Sequence, residues 1–372
     1  MLTVDKKMKP SRLVTLEIGR GVAALLVCMF HFGSGYGDKY FEASWSGNVF
    51  SGGRAGVQYF FVLSGFIIYW IHNSDFGRVG SLKVFLRKRF ERLYPIYWFI
   101  LIPILVMMFL VPSLGADKNL TLLKVICDFL LLPSEGTSVI PPTWTLHREI
   151  LFYGLFAFTI FKPKVGWPLI FVWQLLCLTN GLFNFTVSDY RNWQNVIFGD
   201  QNIGFGLGMI AAFILLNYPI KKLNSLFISA LGFTGFFVLI ASDGYLSIMN
   251  INEYEMGISS IYTVGYLLTP FLLILGLVNL EQHVRIKIPT ILTTFGGASY
   301  VMYLMHLSIG SVVYKVLSTS YLKPYFGITS AFVVATIVVV VISMIIHVVI
   351  EKRLLVLIRS IKYKSPSKSV LE

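Results

Sequence analysis

Residues 16–32, LEIGRGVAALLVCMFHF, set an arginine and a histidine eleven positions apart in a stretch otherwise as apolar as a lipid-facing helix. An ionisable side chain at the bilayer centre costs about 2.5–3.5 kcal/mol for Arg, Lys or Asp on insertion scales, so such residues mark interior surfaces or polar pathways. Eleven residues of α-helix return to nearly the same face, about 16 Å further along the axis. Arg20 and His31 therefore share one stripe, and Glu17, three positions before Arg20, can partner it on that face. Arginine offers a permanent charge and a planar fork of donors for phosphate or carboxylate. Histidine titrates near neutral pH and can take a proton from a weak nucleophile. A plainer reading stays open on this segment alone: His31 in one headgroup zone, and Arg20 reaching the opposite interface beside Glu17.

Further residues have the types that carry chemistry. In RKRFERLYPIYW, residues 87–98, Arg87, Arg89 and Arg92 precede an apolar run, with Arg89 and Arg92 on one helical face. They suit phosphate recognition, although membrane topology alone also places basic clusters at helix ends. In WTLHREILFY, residues 144–153, Glu149 shares a face with Phe152 and Tyr153, and Arg148 stands beside it. Ser64, in FVLSGF, has the type of a covalent nucleophile, but a Ser-Gly pair in a membrane helix more often serves close packing. Ser299, Tyr303 and His306, in GGASYVMYLMH, recur near one face and can line a cavity or anchor at an interface. His347 reads as packing. Cys28, Cys127 and Cys177 have neither paired nor metal-ligand spacing and read as small apolar residues. No metal-ligand set or Gly-rich phosphate loop is present, so no metal is expected.

The elements that must position these groups are membrane helices. Of 372 residues, 56% are hydrophobic and 13% charged, against about 25% charged in an ordinary soluble domain. Apolar runs of spanning length fall near 13–32, 55–72, 93–112, 145–161, 167–183, 196–216, 223–241, 258–279, 291–316 and 326–350. The expectation is an all-α polytopic protein of about ten transmembrane helices, with one membrane domain over 1–350 and a basic tail over 351–372. The stretch 120–132 is short and holds Lys124 and Asp128, so it reads as interfacial or re-entrant. The first span has no cleavage signature of a signal peptide. With both termini cytoplasmic, most Lys and Arg fall on the inner side. The net charge of +13 then follows from topology, and a basic inner surface suits anionic lipid or a phosphorylated cytosolic substrate. Charge spread over short loops argues against nucleic acid as a partner.

The order of LEIGRG…H, GVQYFFVLSGF, RKRFERLYP, WTLHREILFY and GGASYVMYLMH resembles the integral-membrane acyltransferase-3 family over most of the chain. The resemblance implies acyl transfer, commonly of acetyl, from acetyl-CoA to a hydroxyl of an extracytoplasmic sugar in a polysaccharide such as O-antigen, capsule or exopolysaccharide. It implies a location in the bacterial inner membrane, with a polysaccharide or lipid-linked glycan as acceptor partner. His31 then acts as general base, and Glu149, expected at the outer end of its span, meets it across the bundle. Arg20, Arg87, Arg89 and Arg92 bind the coenzyme, with Arg20 along the pantetheine path; Glu17, Ser64, Tyr153, Ser299, Tyr303 and His306 line the cavity. Two departures stand out. The acid before Arg20 is Glu17 where the family usually has Asp, and Glu351-Lys352-Arg353 replaces the usual E-x-P after the last span, so that turn is expected to be built differently. A transporter or flippase of a glycan-lipid or other solute is the alternative, since transporters also bury such residues along a pathway; a non-catalytic sensor or scaffold on the same body is a third. Acceptor sugar, acyl chain and oligomeric state have no signature in the sequence.

Overall fold

A computed structural model describes residues 13–41, 49–114, 118, 120–134, 136–183, 185–186, 192–249, 251, 259–284 and 288–361. The ends that carry part of the expected basic segments, 1–12 and 362–372, lie outside the described residues. Among the described residues all regular structure is helical. The helices are α1 (Val14–Ser34), α2 (Tyr36–Phe41), α3 (Ala55–His72), α4 (Ser81–Leu110), α5 (Leu122–Leu130), α6 (Trp144–Phe161), α7 (Pro163–Phe183), α8 (Trp193–Phe198), α9 (Ile203–Asn217), α10 (Lys222–Ile248), α11 (Ser259–His283), α12 (Thr290–Gly297), α13 (Ser299–Leu317), α14 (Ile328–Ile346) and α15 (Lys352–Ile361). Nine segments among the described residues are long and apolar enough to cross a membrane. The tenth expected span, α6, has 18 residues and is less apolar because His147, Arg148 and Glu149 occupy its first turns.

Three spans differ from their sequence outline. The arginines expected just before the third span already belong to it: α4 runs for 30 residues, about 45 Å against a hydrocarbon core of about 30 Å. The ninth span is broken at Ala298 into α12 and α13. The last continues through a π-helical turn, His347–Glu351, into α15. No turn forms at Glu351-Lys352-Arg353, and the start of the expected tail is a helix with a basic stripe.

The reading of 120–132 as interfacial or re-entrant meets a specific set of contacts. Tyr94, Tyr97 and Trp98 donate to the carbonyls of Leu130 (3.0 Å), Asp128 (2.7 Å) and Phe129 (2.9 Å). They supply partners for carbonyls that a helix C-terminus leaves unpaired. These donors lie about midway along α4, so α5 is folded back against the middle of the bundle and the chain enters α6 from there.

Glycine lets two helices approach where the site is built. A Cβ on Gly65 of α3 would lie 2.0 Å from the Phe205 carbonyl oxygen of α9, and one on Gly208 of α9 only 1.9 Å from that of Val62. Small residues replace the missing hydrophobic drive for helix association in lipid by permitting backbone contact. At the start of α1, the backbone N–H groups of Val14 and Thr15 donate to the Glu281 carboxylate at 2.7 and 3.0 Å, and the Thr15 hydroxyl adds a bond at 2.5 Å. A carboxylate at a helix N-terminus satisfies free donors and complements the dipole. It fixes α1 against the end of α11.

Candidate active site

The interior cavity is lined from five helices: Arg20 of α1, Ser64 of α3, Arg89 and Arg92 of α4, Thr145, Glu149 and Tyr153 of α6, and Ser299, Tyr300 and Tyr303 of α13, with apolar residues between them. Most of the residues singled out in the sequence thus converge on one place. Ser64 Oγ donates to Glu149 Oε1 at 3.1 Å, and the Tyr153 hydroxyl makes a short bond to the same oxygen. In the Ser64-Gly65 pair the glycine packs against α9, as the packing reading expects, while the serine faces the cavity. Arg148 does not neutralise Glu149. It is fully buried on another side of α6, where it donates to Asn195 Oδ1 at 2.5 Å and lies over the Trp144 ring.

Three guanidinium groups against one carboxylate give the cavity a net positive charge. Arg89 is held at 5.6 Å from the ring centroids of both Phe85 and Tyr153. The Nε atoms of Arg20 and Arg89 are buried and have no hydrogen-bond partner. Burying a donor of a charged group without an acceptor is costly, so both are poised for an anionic or electron-rich ligand.

Arg89 and Arg92 also line a second, polar cleft between α4 and α15, together with Arg87, Lys88, Glu91, Glu351, Leu355 and Arg359. The two spaces therefore share a wall of arginine. Arg87, expected with the other coenzyme residues, is absent from the cavity and stands in this outer cleft. It pairs with Glu91 at 2.6 Å, and Glu91 also reaches Arg359 at 3.8 Å. Glu17 is another departure from the expected lining: it is not among the cavity residues, although its charge acts on Arg20, together with those of Arg92, Glu351 and Glu149.

His31 and His306 form a pair beside the cavity, outside its lining. Their ring centroids are 5.2 Å apart, and His306 lies 5.9 Å from the Tyr303 ring. Tyr303 faces the cavity and accepts a hydrogen bond from Thr145 at 3.0 Å. The expected meeting of Glu149 with His31 is corrected by these positions: the bonded partners of Glu149 are Ser64 and Tyr153. The physical reason is the inward course of α5: its end is held against the middle of α4, Val139 stays bonded to Asp128, and the chain enters α6 beside the cavity that Glu149 shares with Arg20.

Several site residues were missed in the sequence. Tyr300, which donates to the Leu93 carbonyl at 3.2 Å, and Thr145 lie inside motifs already quoted. Lys88 and Arg359 carry no signal beyond their charge. In sequence Glu351 reads only as part of a turn; the π-helical turn instead aims it into the basic cleft and pairs it with His347 at 2.6 Å. His347 is accordingly more than packing.

The family model described as an acyltransferase domain, acyltransferase-3 type, matches residues 13–348. The exopolysaccharide production protein ExoZ of Rhizobium meliloti (strain 1021) is 28% identical over 288 residues, covering 74% of this chain and 82% of that protein. No solved structure matches.

Proposed function

Since the chain belongs to the acyltransferase-3 family of membrane enzymes, we propose that it transfers an acyl group, acetyl foremost, from cytosolic acyl-CoA to a hydroxyl of an extracytoplasmic polysaccharide or its lipid-linked precursor in a bacterial inner membrane. The observation that carries this reading is the arginine wall shared by the polar cleft and the buried cavity. A polyphosphate donor matches the cleft in charge, with Arg87, Lys88 and Arg359 placed for phosphates. Arg89, Arg92 and Arg20 then continue the positive lining inward. The name of the relative from Rhizobium meliloti, an exopolysaccharide production protein, supports a polysaccharide as acceptor.

A thioester donor supplies an activated acyl carbon and a stable thiolate leaving group. The acceptor hydroxyl is a weak nucleophile until its proton is withdrawn, and His31, only partly buried beside the cavity, is the base. The proton passes from the hydroxyl to His31 and then to the departing sulfur, as the new C–O bond forms and the C–S bond breaks. Glu149 keeps Ser64 and Tyr153 in place and offsets part of the charge of the three arginines. Cells lacking the gene should lose polysaccharide O-acyl ester, and the wild-type protein should restore it. His31→Ala at matched membrane level should leave ester content at the knockout background, a loss of about 100-fold or more. Full restoration by this variant removes His31 as the base; ester content that never depends on the gene removes the polysaccharide acceptor.

A further inference from the structure

The His31–His306 pair has a built-in asymmetry that the reaction can use. His306 Nδ1 lies 2.7 Å from the Tyr303 carbonyl oxygen. A carbonyl only accepts, so this ring nitrogen carries the hydrogen. In the neutral ring Nε2 is then an acceptor, and this atom is buried with no hydrogen-bond partner. His306 is 1% exposed, whereas His31 is only partly buried and its ring lies 5.2 Å away. One imidazole is therefore locked in a single tautomer with its lone pair kept dry, and the other is only partly buried.

We propose that His306 is the positioning residue for His31: its locked Nε2 lone pair receives the N–H on one side of the His31 ring, directly after a small rotation or through one water. This rests on His31 being the base, as read above. Accepting that N–H leaves the lone pair of His31 on the opposite edge, where the acceptor hydroxyl must lie. When His31 takes the hydroxyl proton, the charge that develops on its ring is stabilised by the same bond. His306 itself neither gains nor loses a proton, and the proton returns from His31 to the leaving thiolate. The logic is that of a base oriented by a third group, with a fixed imidazole where a carboxylate is more usual. A neutral partner suits this depth, because a second carboxylate would add a charge to an apolar region.

Two amides separate positioning from mere structure. Glutamine at 306 can place its side-chain oxygen near the position of Nε2, while asparagine reaches only the position of Nδ1 and leaves His31 without an acceptor. Purified protein is given acetyl-CoA with membranes from the deletion strain as acceptor, and both thiol release and acetyl incorporation are followed. His306→Phe and His306→Asn should lower kcat about 10–100-fold, the usual effect of removing a residue that orients a reacting group, with the KM for acetyl-CoA within about twofold. His306→Gln should recover most of that kcat. Full kcat in the Phe and Asn variants overturns the proposal. So does a Gln variant no better than Phe, or a parallel collapse of kcat, KM and monodisperse yield in all three, since each means that His306 acts only through packing. Wild-type protein that releases no thiol and transfers no acetyl instead overturns the acyl-CoA reading on which the proposal stands.

Discussion

Arg89 shows how much of the site depends on side-chain form as well as charge. It sits between two aromatic rings with an unpartnered Nε, a setting that uses the flat guanidinium both for stacking and for a directed hydrogen bond. Arg89→Lys keeps the charge and loses the plane; it should raise the KM for acetyl-CoA about tenfold, while kcat at saturating donor changes little. Steady-state kinetics over a range of acetyl-CoA decides this. An unchanged KM would make Arg89 a structural cation. The same scale explains why Arg20 and Glu149 were legible from sequence. A charge in an apolar segment needs an interior partner or a cavity, and both residues found the same one. That Glu149 bonds Ser64 and Tyr153 instead of meeting His31 was not legible, because it depends on where along the bundle a helix begins, and no residue in α6 encodes that depth.

At the scale of elements, the α3–α9 contact sets the cavity wall that carries Ser64. The two backbones meet through Gly65 and Gly208, with no room for a methyl group at either. Gly208→Ala must push the helices apart or bend one of them. Overpacking of this kind costs about 1–3 kcal/mol, which should appear as a lower midpoint of thermal unfolding in detergent. Sequence showed the Ser-Gly pair and its packing role, but not that the serine next to it turns to Glu149. The course of α5 was equally hidden beyond its shortness and its two charges. The three donors that hold it, Tyr94, Tyr97 and Trp98, carry no local mark of that role, since nothing in sequence distinguishes an aromatic facing a headgroup from one facing the end of another helix. The continuation into α15 escaped for a related reason. A π-helical turn has no sequence signature, so Glu351 and Arg359 looked like parts of a tail.

For the whole molecule, the contact between Arg359 and Glu91 gathers α15 and the first part of α4 on one face. The basic cleft lies there too, and a cytosolic donor requires this face to be cytoplasmic. A fluorescent protein fused after residue 372 should therefore mature and fluoresce, whereas alkaline phosphatase at the same point should be inactive; the reverse pattern would invert the molecule and detach the cleft from cytosolic acyl-CoA. The broad outline, an all-helical membrane body with its charged residues gathered inside, was written in composition and in the spacing of apolar runs. Which charged residues share a chamber was written only in the packing.

Tyr303 has one more consequence, and it concerns the membrane's electrical tightness. Its ring lies between the arginine-lined space and the histidine pair. An enzyme that receives one reactant from each side of an energised membrane risks becoming a conductive path between them. A phenol with its hydroxyl engaged by Thr145 is bulky enough to interrupt a file of water and polar enough to leave no unsatisfied atom behind. Placed there, on the reading proposed above, it narrows the passage to the reacting groups themselves and leaves no open file of water for ions. The same residue that borders the chamber is thereby the wall between the arginines and the histidine pair.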